Sequence, residues 1–381
     1  MATDRSYVVV LRAESAVRLP EAAAVELTVN EARGTSTIRL RTRYVPLGQG
    51  EGSIPRTLWI EAYGPAETID EAMQRYQEVA GVVGSVLSVA TNASVEDMAV
   101  EIAFDATEAS TDHDYFQQFL PDESGLPRAS RRPDGEAFLA LFGLLLSSPH
   151  RDRLLRTVSQ YQIALQHLTP GHEILALAHL WMAVEALTKV ALRQAADEAG
   201  GQDQLLLDWG IGKKDLDGEV RKRLIFQSDI PAYKKAAEAS NGFEHGFLDF
   251  AKIRHYSTTH VGSVAGYVRS AIIRAAGADE ALTSALLDER FAVPMPCARI
   301  AKYLRATLVG PATSLAPDGM QYPNFRLNSA IQSVKPDADG SLDITPQETM
   351  TAQVGPGVEA RDVRFEMWGP DTGVKPGGTA S

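Results

Sequence analysis

The chain has 381 residues, 44% of them hydrophobic and 23% charged, which is the balance of a globular protein long enough for two domains. Its formal net charge of −12 excludes a chain coated in positive charge for nucleic acid, but leaves room for a local basic site. The lone cysteine, Cys297, excludes an intramolecular disulfide framework and a cysteine-based zinc site.

The first hundred residues predict an α+β arrangement. An apolar run at 7–11 and the alternation of Val25, Leu27 and Val29 with polar neighbours read as strands. Residues 38–45 and 58–63 repeat that period of two with β-branched and aromatic content, around a glycine-rich turn at 48–52. The arginines of 38–45 alternate along one strand face, which reads as solvated. Thr68, with Glu71 three residues on, forms a capping box that opens a helix to about residue 90, before strand character returns at 95–104. Residues 110–134 are dominated by Asp, Pro, Ser and Gly, the composition of a linker. The expected division is an α+β domain at 1–110, a linker at 111–135, a helical domain at 136–308 and a partly disordered tail at 309–381.

Beyond the linker, helices are predicted over 136–147, 151–168 and 172–198. The last is apolar around most of its circumference (Leu177, Leu180, Trp181, Val184, Leu187), as befits the middle of a bundle, and Gly200-Gly201 ends it. Shorter helices follow at 219–226, 231–240 with Asp229 as N-cap, 261–276 and 280–288. Asn241-Gly242 is read as an interruption, and a last helix is expected at 297–308. The tail offers only short strand-like pieces, at 341–344 and 363–368, and 369–381 has a disordered composition. No run of about 18 apolar residues is evident, 137–146 being too short to span a bilayer, and no signal segment is expected before the first strand. The expected compartment is the cytoplasm, with no membrane partner.

The stretch that carries chemistry is Arg254-His255-Tyr256-Ser257-Thr258-Thr259-His260. On one unbroken helix, Arg254 and His260 would occupy different faces. The Tyr-Ser-Thr-Thr run is a poor helix interior, so a break is expected there, with Thr258 or Thr259 capping the next helix and both side chains converging on one pocket. Histidine exchanges a proton near neutral pH, and a guanidinium fork fits two phosphate oxygens. That is the equipment for metal-independent RNA cleavage by an adjacent 2′-hydroxyl. The alternative is an Arg in a surface ion pair and a His at a helix start. Basic residues also slightly outnumber acidic ones over 210–256 (Lys213, Lys214, Arg221, Lys222, Arg223, Lys234, Lys235, Lys252), which reads as a solvated face or a phosphate-attracting one. His245 and Asp249 are i,i+4 neighbours, so the carboxylate can orient the imidazole. Glu244 and His245 are expected to flank a turn beside Arg254, and no metal-ligand spacing is present. His172 and His179 share a face of the long helix and read as satisfied core or cap groups.

A helical arrangement with Arg, five residues and His at the head of a late helix resembles the HEPN superfamily, over roughly residues 136–308. Glu185, in Trp181-Met182-Ala183-Val184-Glu185-Ala186-Leu187, matches the polar residue that often joins the motif. The resemblance implies a homodimeric, metal-independent ribonuclease without a cofactor, a toxin or antiviral defence effector with Arg254 and His260 catalytic. Lys252, His255, Glu185, Glu244 and His245 would support them. The competing implication is a non-catalytic HEPN module that binds RNA or nucleotide, or only dimerises. One departure from the pattern is His255, where members often carry Asn or another small polar residue, so either histidine is a candidate for the acting group.

Overall fold

The computed structural model describes residues 5–31, 34–47, 52–108, 112–120, 130–245, 249–297, 301–310, 324–336, 342–353 and 357–368. Strands β1 (Arg5–Ala13), β2 (Val25–Glu31), β3 (Gly34–Pro46) and β4 (Ser53–Ala66) precede helix α1 (Ile69–Thr91), and β5 (Ala99–Asp105) and β6 (Tyr115–Gln117) follow it. They form one sheet in the order β2-β3-β4-β1-β5-β6, with β1 antiparallel to both β4 and β5. Alternation decides the faces: Tyr7, Val9, Leu11, Ile38, Leu58 and Ile60 are fully buried on the inner face, which packs on α1. The expected arginine ladder lies on the other face, where Arg39 pairs with Glu26 at 2.9 Å and Arg41 with Glu61 at 2.8 Å. Thr68 caps α1 as expected, its Oγ1 accepting from the Glu71 backbone N–H at 3.2 Å. The Glu71 carboxylate reaches back one residue further than a standard capping box, to the Glu67 N–H at 3.0 Å.

The helices are α2 (Gly135–Ser147), α3 (Arg151–Gln166), α4 (Glu173–Ala199), α5 (Gln202–Trp209), α6 (Leu216–Val220), α7 (Ile230–His245), α8 (Phe250–Ala275) and α9 (Glu280–Leu286). The α4 helix is the spine, packed on α3, α5, α7 and α8, and Trp181, Val184 and Leu187 are buried in it as expected. By length and composition it can cross a membrane, contrary to the expectation that no such stretch occurs. Half of that apolar window is buried inside the fold, which is the position of a core helix. Gly200 and Gly201 end it with φ of 83° and 134°, values that favour glycine.

The compact units do not follow the expected boundaries. One comprises residues 1–42, 57–120 and 130–297, so the sheet and the helices share a core. The physical reason is α1, which packs on the sheet and also on α2 and α3. The segment taken as a linker is tied in as well. Residues 115–117 pair with β5, and Arg131 exchanges backbone hydrogen bonds with Ala16 and Arg18 at 2.8 Å; residues 121–129 lie outside the described ones.

Polar groups lock this core at the end of α1. Asn92 takes a left-handed conformation there (φ 50°), and the last carbonyls of the helix need donors. Arg269 of α8, 2% exposed, donates to the carbonyls of Val89 (2.7 Å) and Ala90 (3.0 Å), and also to those of Leu286 and Phe291. Arg131 donates to the Thr91 and Asn92 carbonyls, Tyr161 Oη donates to Asn92 Oδ1 at 2.6 Å, and Asn92 Nδ2 donates to the Phe291 carbonyl at 2.8 Å. Burial pushes the Arg269 guanidinium down to about 10, so it stays charged at neutral pH and faces the negative end of the helix dipole.

The second unit comprises 43–56, 121–129 and 298–381. Its described strands are β7 (Ala301–Val309), β8 (Asn324–Pro336), β9 (Leu342–Gln353) and β10 (Glu359–Trp368), with β7 antiparallel to β10 and β8 to β9. Two expectations are corrected here: 301–309 is a strand rather than a helix, and the described residues of the tail pair in strands longer than the short pieces expected. Tyr303, Leu304 and Leu308 have helical spacing, but strand pairing with β10, remote in sequence, outweighs that local pattern. The expected disordered segment 369–381 lies outside the described residues. Gly52 (φ 95°) sits so close to β8 that a Cβ there would lie 2.6 Å from the Val334 carbonyl oxygen.

Candidate functional site

The α8 helix carries the Arg–His stretch without a break. Asp249 caps it, its Oδ1 accepting from the Ala251 N–H at 2.8 Å, and helical backbone continues through Tyr256–Ser257–Thr258–Thr259. The expected break fails because the hydroxyls find partners inside the helix. Ser257 Oγ donates to the Ile253 carbonyl at 2.9 Å and Thr259 Oγ1 to that of His255 at 2.8 Å. Nor do Asn241 and Gly242 interrupt α7, where Ser240 and Gly242 are buried against neighbours.

A continuous helix separates the two candidate residues by about 120° around the axis. The buried seam Ile253, Ser257, Val261 and Val264 runs between them, with Arg254 at one edge and His260 at the other. The expected convergence in one pocket does not occur within a single chain. Arg254 is exposed, makes no ion pair among the described residues, and holds its guanidinium 5.2 Å from the centroid of the Phe250 ring. Lys252 and His255 are exposed on the same turns.

His260 is half-buried at the α7 side, its ring 4.5 Å from that of Tyr256. Burial pushes its pKa down, with the Lys235 cation and His255 adding to the effect, so the imidazole is neutral at pH 7. Tyr256 Oη is buried with no hydrogen-bond partner among the described residues, and burial pushes its pKa up to about 12. Asp229 caps α7 as expected, accepting from the Ala232 N–H at 3.0 Å, and its other oxygen accepts from Tyr267 Oη at 2.6 Å.

The supporting candidates scatter. Glu185 lies on α4, half-exposed, 3.8 Å from Arg221 rather than beside Arg254. Arg221 in turn donates to Thr188 Oγ1 at 3.1 Å and lies over the Trp181 ring at 5.4 Å. Glu244 and His245 belong to the last turn of α7, not to a turn between helices, and their side chains lie outside the described residues. Asp249 serves as the cap of α8. Sequence reasoning passed over Tyr256 as a helix breaker, although its spacing of four from His260 signals a shared helix face. Phe250 continues the apolar spacing of Phe243 and Phe247 in sequence, yet the residue is 56% exposed.

His172, which caps α4, and His179, within it, have the partners of structural groups. His172 Nδ1 lies 3.0 Å from Thr169 Oγ1, and His179 Nδ1 lies 2.8 Å from Gln160 Oε1. The His179 ring stacks on His167 at 5.6 Å, and burial followed by His167 pushes its pKa down. A histidine held below its unfolded value of about 6.5 binds protons more readily when the chain unfolds. His179 and His260 therefore leave stability unchanged above that value and subtract from it as pH falls below. Urea unfolding at neutral pH and again one to two units lower should show this loss, and His179→Gln should reduce it. An unchanged loss in that variant would discharge His179. Among the described residues, no group of three or more His, Cys, Asp or Glu side chains is placed to hold a metal ion.

Against known proteins, no family model, no curated protein and no solved structure matches the chain.

Proposed function

We propose that the chain is an HEPN-like RNA-binding protein whose contact surface is the exposed face at the start of α8. The observation that supports this is Arg254, a guanidinium with no carboxylate partner among the described residues, set beside the exposed Lys252, His255 and Phe250. An unpaired fork of donors fits phosphate oxygens, and such a local site is compatible with an acidic chain. Fluorescence anisotropy with labelled RNA tests it. Arg254→Ala should weaken binding about equally across sequences and lower the salt slope by about one. Equal binding by parent and variant would remove the reading.

A second reading, metal-independent RNA cleavage by a homodimer acting as a toxin or defence effector, is favoured by His260. A neutral imidazole at pH 7 can accept the 2′-hydroxyl proton. Since Arg254 and His260 lie on opposite edges of the α8 seam, that chemistry requires a second copy to bring one of each together.

A further inference from the structure

We infer that Phe250 is a base-stacking position and that the ligand of the α8 face is RNA with unpaired bases. This inference rests on the proposed reading of that face as RNA-binding. Phe250 is the first residue of α8, fixed by the Asp249 cap, yet the residue is 56% exposed. The Arg254 guanidinium, one turn on, sits 5.2 Å from the ring centroid. Thr258, exposed, follows one turn later, so an aromatic ring, a cation and a hydroxyl lie on one stripe about 6 Å apart along the axis.

The three groups match the parts of one nucleotide. A phenyl ring offers a stacking surface to any base, the guanidinium takes a phosphate, and the hydroxyl can bond sugar or phosphate. The charges fit as well: Lys252 and Arg254 are exposed, and Asp249, the carboxylate that caps α8, is engaged by the Ala251 N–H. In a duplex the bases are already stacked on each other, and only splayed bases reach an aromatic side chain. The ring therefore selects for unpaired strands, whereas the cations alone would accept both.

The test compares a short labelled RNA without internal pairing and the same strand annealed to its complement, each bound to the full chain. Phe250→Ala should weaken the unpaired RNA roughly 5- to 150-fold and leave the duplex unchanged, and Phe250→Trp should retain the parent affinity. Circular dichroism of both variants should match the parent, since the ring lies outside the core. If Phe250→Ala weakens neither RNA, or both alike, while Arg254→Ala still weakens both, the stacking role is overturned and RNA binding stands. If Arg254→Ala changes neither, RNA binding itself falls. If Phe250→Ala halves the molar mass in solution and leaves RNA affinity intact, the ring is a contact between two copies, and the inference is overturned.

Discussion

Replacing Arg269 by Met should unfold the protein or bring it to the edge of unfolding. The substitution keeps much of the aliphatic volume but leaves the carbonyls of Val89, Ala90 and Leu286 without their shared donor, while that of Phe291 keeps Asn92 Nδ2. Each buried acceptor left unpaired costs about 1–3 kcal/mol. The loss falls at the junction of α1, α8 and α9, and is comparable with the whole stability of a typical domain, about 5–15 kcal/mol. Arg269→Lys should recover only part of it, because one ammonium cannot span the geometry of a planar fork. Urea denaturation followed by circular dichroism gives the comparison; a midpoint close to the parent's for Arg269→Met would show that water or repacking supplies the carbonyls.

The second large effect is on cleavage. With the proposed homodimer, Arg254→Ala and His260→Ala should each lower RNA cleavage by about 10²–10⁴-fold while circular dichroism stays unchanged. The two inactive variants, mixed and allowed to exchange subunits, should regain activity, because one of the two composite sites then holds an intact Arg254 from one copy and an intact His260 from the other. His255→Ala should do less, its side chain leaving α8 about 140° from that of His260. Products should carry a 2′,3′-cyclic phosphate, the 2′-oxygen having bonded to phosphorus as the bond to the 5′-oxygen breaks, and chelators should not change the rate. No recovery on mixing would remove the shared site, and no cleavage by the parent would leave the binding module alone.

Much of the architecture is legible in local pattern. Alternation marks the inner residues of β3 and β4, the Thr68 cap marks the start of α1, and the apolar circumference of α4 marks its place as the spine. What escapes the sequence depends on partners far along the chain. Arg269 reads as an ordinary helix arginine, since the carbonyls it captures belong to residues 89, 90, 286 and 291. The sheet and the helices look separable for the same reason: nothing in α1 alone announces that two of its sides are covered. The candidate site was readable as residues but not as geometry. The serine and threonine hydroxyls that should have opened the helix instead bond to carbonyls within it, and that choice separates Arg254 from His260.

The second unit has a consequence for how the protein is made. Residues 43–56 leave the ribosome early, yet the remaining strands of their unit come from 298–381. The close seat of Gly52 against Val334 cannot form until β8 has been synthesised. At about 5–20 residues per second, that delay is on the order of ten seconds or more, long enough for the core around α1 and α4 to assemble first. During that interval Gly52 and the start of β4 wait without β8, a stretch for a chaperone to hold or a protease to find. Pulse-labelled nascent chains should accordingly become resistant in two steps, the helices before the start of β4.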